Sequence, residues 1–174
     1  KTLRATNELT PAFRDSVVQK TYWAIVVGRP PMMKGMIDAP LQKEAAAGGE
    51  RMEVNPGGQS ALTAYQILDK AGKRAAWLSL MPKTGRTHQL RVHTKHMGTP
   101  ILGDGKYGGQ DAFLEGLDLP KQVHLHAREL LIPHREYDQL RITADLPPHM
   151  VTTFGQLGFN MRDANELTED APWL

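Results

Sequence analysis

Cysteine is absent from the 174 residues. That excludes disulfide staples and thiolate metal sites, and it fits a reducing compartment. No apolar run approaches the roughly 20 residues a membrane-spanning helix needs, and the opening KTLRATNELT lacks the apolar centre of a secretion signal. Also missing are the phosphate-cradling GxxxxGK[ST], a GxGxxG after a strand, the zinc-binding HExxH and the nucleophile turn Gly-x-Ser-x-Gly. What is present, 40% hydrophobic and 23% charged residues, suits one folded domain large enough to bury a core.

Acidic residues are scarce in one stretch. From Lys83 to Tyr107 the chain reads KTGRTHQLRVHTKHMGTPILGDGKY, with Lys83, Arg86, Arg91, Lys95 and Lys106 set against Asp104 alone. The tail from Asn160 to Leu174 is the reverse, one arginine against four carboxylates, so a small overall charge of +2 conceals a basic body. Local positive charge of this kind favours an anionic partner, although a merely solvated surface reads the same from charge alone.

Taken in order, the chain predicts an opening helix with Leu3, Leu9 and Phe13 aligned, then a central strand over Lys20–Val27 whose two faces are both apolar. Alternation puts Tyr22, Ala24 and Val26 on one face and Trp23, Ile25 and Val27 on the other. Gly35–Leu41 adds a short extended segment, and Lys43–Gln59 reads as a surface loop. Ser60–Asp69 and Arg74–Met81 form a hairpin about Ala71-Gly72-Lys73. Thr87 is placed as the cap of a helix running to Met97, with Gly98 just past its end. Gly105–Gly109 is a loop, Asp111–Leu117 a helical turn, Val123–Ile132 and Gln139–Ala144 strands linked from Pro133, and Asp145-Leu146-Pro147-Pro148 opens a last helix through about Leu157. The expectation is an α+β domain over residues 1–159 with a mixed, largely antiparallel sheet, followed by an acidic tail over 160–174.

Three kinds of site compete for the basic stretch. His88, His93, His96, His124 and His126 are numerous enough for a metal, but their spacing matches no closed ligand set, and structural or RNA-facing histidines fit better. The glycines of Gly103-Asp104-Gly105 and Gly108-Gly109 suit bends around a core. A nucleic-acid surface remains, with Lys83, Arg86 and the helix start on phosphates and Tyr22 or Trp23 available to stack on a base. An aromatic in a central strand is also an ordinary core residue.

The segments TGRTHQLRVH (Thr84–His93) and GTPILGDGKYGG (Gly98–Gly109) resemble the signature of RluA-type RNA pseudouridine synthases. KTYWAIV, GGQSALTAYQIL and HLHARELLIPH resemble further segments of that family, in the same order, so the likeness runs from about Thr6 to Pro148. It is nearest to bacterial large-subunit ribosomal enzymes of the RluC kind. The resemblance implies a sheet bisected by an RNA cleft, and a reaction in which uridine is detached at N1, turned and rejoined through C5. It implies no metal and no organic cofactor, and a monomer acting on ribosomal RNA away from membranes, in the cytoplasm of a bacterium or in mitochondria of a eukaryote. By motif, Tyr22 is the base that takes the C5 proton, Arg91 pairs with the nucleophilic aspartate, and Leu125 lies beneath the target base. Lys83, Arg86, His88 and Lys95 are the expected RNA-holding residues.

One element of the family pattern is lacking. No HRLD-type motif, which would carry the nucleophile, occurs in these residues. It is expected upstream of Lys1, together with an S4-like module, so the chain by itself is expected to be inactive. For the same reason no catalytic aspartate is assigned among Asp15, Asp38 and Asp104. The alternative expectation is a non-catalytic RNA-binding relative that acts in ribosome assembly or as an RNA chaperone.

Overall fold

A computed structural model describes residues 18–46, 49–134 and 138–162. The expected opening helix, and the acidic tail beyond Arg162, lie outside the described residues. Eight strands are described: β1 (Gln19–Val27), β2 (Lys34–Asp38), β3 (Leu41–Ala46), β4 (Gly49–Val54), β5 (Leu62–Ala71), β6 (Ala75–Pro82), β7 (Leu125–His134) and β8 (Asp138–Thr143). Helix α1 spans Gln89–His96, a short α2 Gly105–Gly108 with a 3₁₀ turn over Gly109–Ala112, and α3 Pro148–Leu157. Six strands form one sheet in the order β2-β5-β6-β1-β7-β8, every neighbouring pair antiparallel.

The expected α+β class and the central place of β1 hold. Tyr22, Ala24 and Val26 pack into one apolar cluster with Leu78, Leu80, Leu90 and Ile101. Trp23, Ile25 and Trp77 pack behind the sheet against Met150 and Phe154 of α3. A run without polar alternation is what a strand covered on both faces requires. The hairpin between β5 and β6 also forms where the sequence places it, with Gly72 at φ 61° in its turn.

Three expectations need correction, the first being the loop over Gly105–Gly109, which forms the short α2 and opens the 3₁₀ turn. Lys43–Gln59 is not a loop throughout: β3 and β4 pair as a separate two-stranded sheet. The stretch is rich in Ala, Gly and charge, as suits a ribbon with little to bury, and it is pinned by Leu41, Met52 and Val54 against Val92 and Tyr107. Pro133 lies inside β7, opposite Gln139 of the edge strand β8, rather than starting a link.

His124 ties the two layers together. It is fully buried, its Nδ1 3.1 Å from the Leu102 carbonyl and its Nε2 2.7 Å from the Thr153 hydroxyl of α3. Burial pushes its pKa down to about 4, so the neutral ring donates from Nδ1 to the carbonyl and accepts from Thr153. An unfolded histidine titrates near 6.5, so between the two values the unfolded chain binds the extra proton. Stability is therefore expected to fall as pH drops from about 6.5 to about 4, by roughly 3 kcal/mol from this residue. Denaturant midpoints over that range should show the slope, and His124→Gln should flatten it.

Candidate active site

The turn from Lys83 to His88 is held by one buried amide. Gln89, 3% exposed, donates from Nε2 to the Leu62 carbonyl and the Thr63 hydroxyl, both at 3.0 Å. Its Oε1 accepts from the Thr84 hydroxyl at 2.8 Å and the Arg86 backbone N–H at 3.0 Å. All four hydrogen-bonding positions of the side chain are thus used. Thr63 passes the network on to His93, whose Nδ1 lies 2.9 Å from its hydroxyl and whose Nε2 lies 3.0 Å from the Ala39 carbonyl. Burial lowers the pKa of His93, which is a structural group here. Gln89→Ala is expected to cost about 1–3 kcal/mol, because buried partners are left unsatisfied; thermal unfolding measures it.

The start of α1 departs from expectation. His88, not Thr87, occupies the cap position, and no side chain caps the helix. His88 has φ 52°, the one positive φ outside glycine among the described residues, a conformation that costs on the order of 1–3 kcal/mol. Its Nδ1 sits 2.8 Å from the Tyr107 hydroxyl, which also takes the Met52 backbone N–H at 3.4 Å. Desolvation, then Arg91 and Lys106, lower the pKa of His88. The helix ends as the sequence indicates, with Gly98 at φ 80° and its N–H on the Lys95 carbonyl.

Arg91 is the electrostatic centre. Its Nε and Nη2 bind the two oxygens of Asp104 at 2.8 and 2.6 Å. Asp104 is 1% exposed and the Arg91 side chain 18%. The hydrogen bonds to Asp104 hold the guanidinium pKa above its ordinary value. Asp104 also accepts the Tyr107 N–H, and the Tyr107 ring lies under the guanidinium, 4.8 Å from its carbon. Gly103 makes the turn that delivers Asp104: at φ 80°, an added Cβ would stand 2.1 Å from the Gln122 carbonyl oxygen.

A carboxylate from outside the chain was the expected partner of Arg91; among the described residues Asp104 is the partner. Asp104 and Tyr107 were missed as site residues, yet a lone acid among five cations was a usable signal. The pairing occupies one edge of the guanidinium, and no described residue takes Nη1. A second anion can therefore meet the remaining donors.

Tyr22 and Leu125 lie on the α1 side of the sheet, where both are half-buried and pack on the cluster containing Leu90, the neighbour of Arg91. Leu125 pairs with Ala24 and Ala127 with Tyr22, so Tyr22 and Leu125 are diagonal neighbours on one face. Lys83 and Arg86 stand exposed on the turn, Arg86 donating from Nε to the Ser60 carbonyl at 3.1 Å. Lys95 is exposed in the last turn of α1. No cluster of three histidines, cysteines or carboxylates fit for a metal occurs among the described residues.

Residues 1–96 match the family described as RNA pseudouridylate synthase. The chain belongs to that family. It is 34% identical to RNA pseudouridine synthase 4, mitochondrial, of Arabidopsis thaliana, over 83% of this chain and 40% of that one. It is 38% identical to ribosomal large subunit pseudouridine synthase C of Haemophilus ducreyi, over 89% of this chain and 48% of that one. The chain thus spans less than half the length of these two relatives. Its fold superposes on the solved human RNA Pseudouridylate Synthase Domain Containing 4 with a TM-score of 0.72 at 29% identity, covering 92% of this chain and 70% of the other.

Proposed function

We propose that the protein to which this chain belongs isomerises uridine to pseudouridine in RNA, with large-subunit ribosomal RNA as the substrate. The observation that carries this reading is Arg91, fixed by Asp104 along one edge and with its Nη1 taken by no described residue, on a helix that shares an apolar cluster with Tyr22 and Leu125. Residues 1–159 are read as part of the catalytic domain, and 160–174 as an acidic tail.

The mechanism assigns each group a task. A stacked uracil is inaccessible, so it leaves the helix for a pocket, at a cost of a few kcal/mol. Leu125 supports the extruded ring without competing for its hydrogen bonds. The open guanidinium edge of Arg91 keeps a nucleophilic carboxylate ionised and aimed. Tyr22 takes the proton from C5 once the new carbon–carbon bond has formed. Lys83, Arg86, His88 and Lys95 hold phosphates around the target. Asp104 is not the nucleophile in this reading, because it is buried with both oxygens engaged.

Full-length protein, incubated with large-subunit ribosomal RNA transcribed in vitro, is expected to form pseudouridine at a defined position, quantified by mass spectrometry. The 174-residue chain alone is expected to form none, since it has no HRLD-type carboxylate. Salt-dependent RNA binding by the full-length protein without any conversion would overturn the catalytic reading in favour of an RNA chaperone.

A further inference from the structure

Between the β3–β4 ribbon and α1 lies a cavity of about 360 Å³ that none of the assigned roles uses, apart from Lys95 on its rim. Arg51, Met52, Glu53 and Val54 of β4 form one wall; Val92, Lys95 and His96 of α1 and the Tyr107 ring form the rest. The apolar groups Met52, Val54, Val92 and Tyr107 belong to the cluster that pins the ribbon to the helix. The charges are unequal. Glu53 is engaged by Arg51, whereas Lys95 has no carboxylate partner among the described residues. An apolar wall beneath a cationic rim suits a ligand with a flat ring and an anionic end.

Its position narrows the choice. Tyr107 separates this cavity from Arg91: its ring lines the cavity and also carries the guanidinium, and its hydroxyl joins His88 to the Met52 backbone. Whatever fills the cavity presses on the residue that supports Arg91. We propose that the cavity takes an unpaired nucleotide of the RNA substrate beside the target uridine, its base on Met52, Val54 and Val92 and its phosphate on Lys95. This rests on the RNA-modifying reading above and adds a subsite to it. The ribbon then serves as a clamp that closes a second nucleotide against α1.

The test uses full-length protein with its methionine methyls labelled for NMR. Titration with each of the four nucleoside 5′-monophosphates is expected to shift the Met52 methyl saturably for at least one of them, and Lys95→Glu is expected to abolish that shift. Two variants alter the cavity independently, Met52→Trp by filling it and Lys95→Glu by reversing its rim. Each is expected to raise the ribosomal RNA concentration needed for half-maximal binding about tenfold, and Lys95→Glu to lower the salt slope by about one. The proposal is overturned by a Met52 methyl unmoved by all four nucleotides, or by folded variants that bind RNA as the wild type does. A Met52 methyl already shielded from solvent in free full-length protein, and unchanged by RNA, also overturns it, since a segment of the protein then occupies the cavity. The two readings fail separately. Absent conversion by the wild type sinks the proposed activity, while the nucleotide titration still decides the cavity.

Discussion

Alanine at position 91 is expected to stop turnover and also to destabilise the protein by about 3–5 kcal/mol, the cost of leaving one partner of a buried ion pair uncompensated. The asymmetry of the pair sets the size of the effect. Asp104 is 1% exposed and takes both of its side-chain charge contacts from Arg91, so after the substitution its carboxylate keeps only the Tyr107 N–H. Removing the other partner should cost less, because Arg91 is 18% exposed and can recruit water; Asp104→Asn is therefore the milder change. Thermal unfolding should register Arg91→Ala as a drop of roughly 10 °C. Turnover is then compared at a temperature where both proteins are folded. Arg91→Lys separates the roles: it restores a cation to Asp104 and with it much of the stability, but a point charge cannot serve two anions along two edges. A folded Arg91→Ala protein that converts uridine at the wild-type rate would refute the assignment.

Legibility in the sequence followed a physical rule. Segments whose partners lie within a few residues, or whose pattern is set by burial, could be read directly. KTYWAIVV has no polar alternation because both its faces are covered, and Gly72 and Gly98 mark a turn and a helix end through positive φ. Long-range polar partners could not be read this way. Nothing local in Gln89 says that its amide reaches back to Leu62 and Thr63, 27 and 26 residues away. Thr87 looked the better cap by residue type, yet His88 holds the position because its ring is fastened to Tyr107, 19 residues on. The β3–β4 ribbon was hidden for a related reason. It buries few side chains of its own and gains its shape from contact with α1. Motif order proposes Tyr22, Arg91 and Leu125 for the site, while Asp104 and Tyr107, which orient the arginine, emerged only from geometry.

Tyr22→Phe tests the chemistry most directly, because the change removes one oxygen and little else. Tyr22 is half-buried, and its ring packs on the same cluster as Leu90 and Leu125; phenylalanine keeps that packing, so fold and RNA affinity should be retained. What disappears, in the proposed mechanism, is the group that accepts the C5 proton. A positioned general base contributes on the order of 10²–10⁴ in rate, and product formation is expected to fall by that factor with RNA affinity within about twofold of wild type. The step at which the reaction halts is diagnostic. Carbon–carbon bond formation precedes proton removal in this reading, so the variant should accumulate an RNA species rejoined through C5 but still carrying its C5 proton, visible by deuterium retention when the uracil is labelled at C5. A variant that lost RNA binding in parallel would instead mark Tyr22 as a stacking platform. Product formed at the wild-type rate would return Tyr22 to the role its neighbours on β1 already play, that of an aromatic or apolar side chain filling a covered sheet.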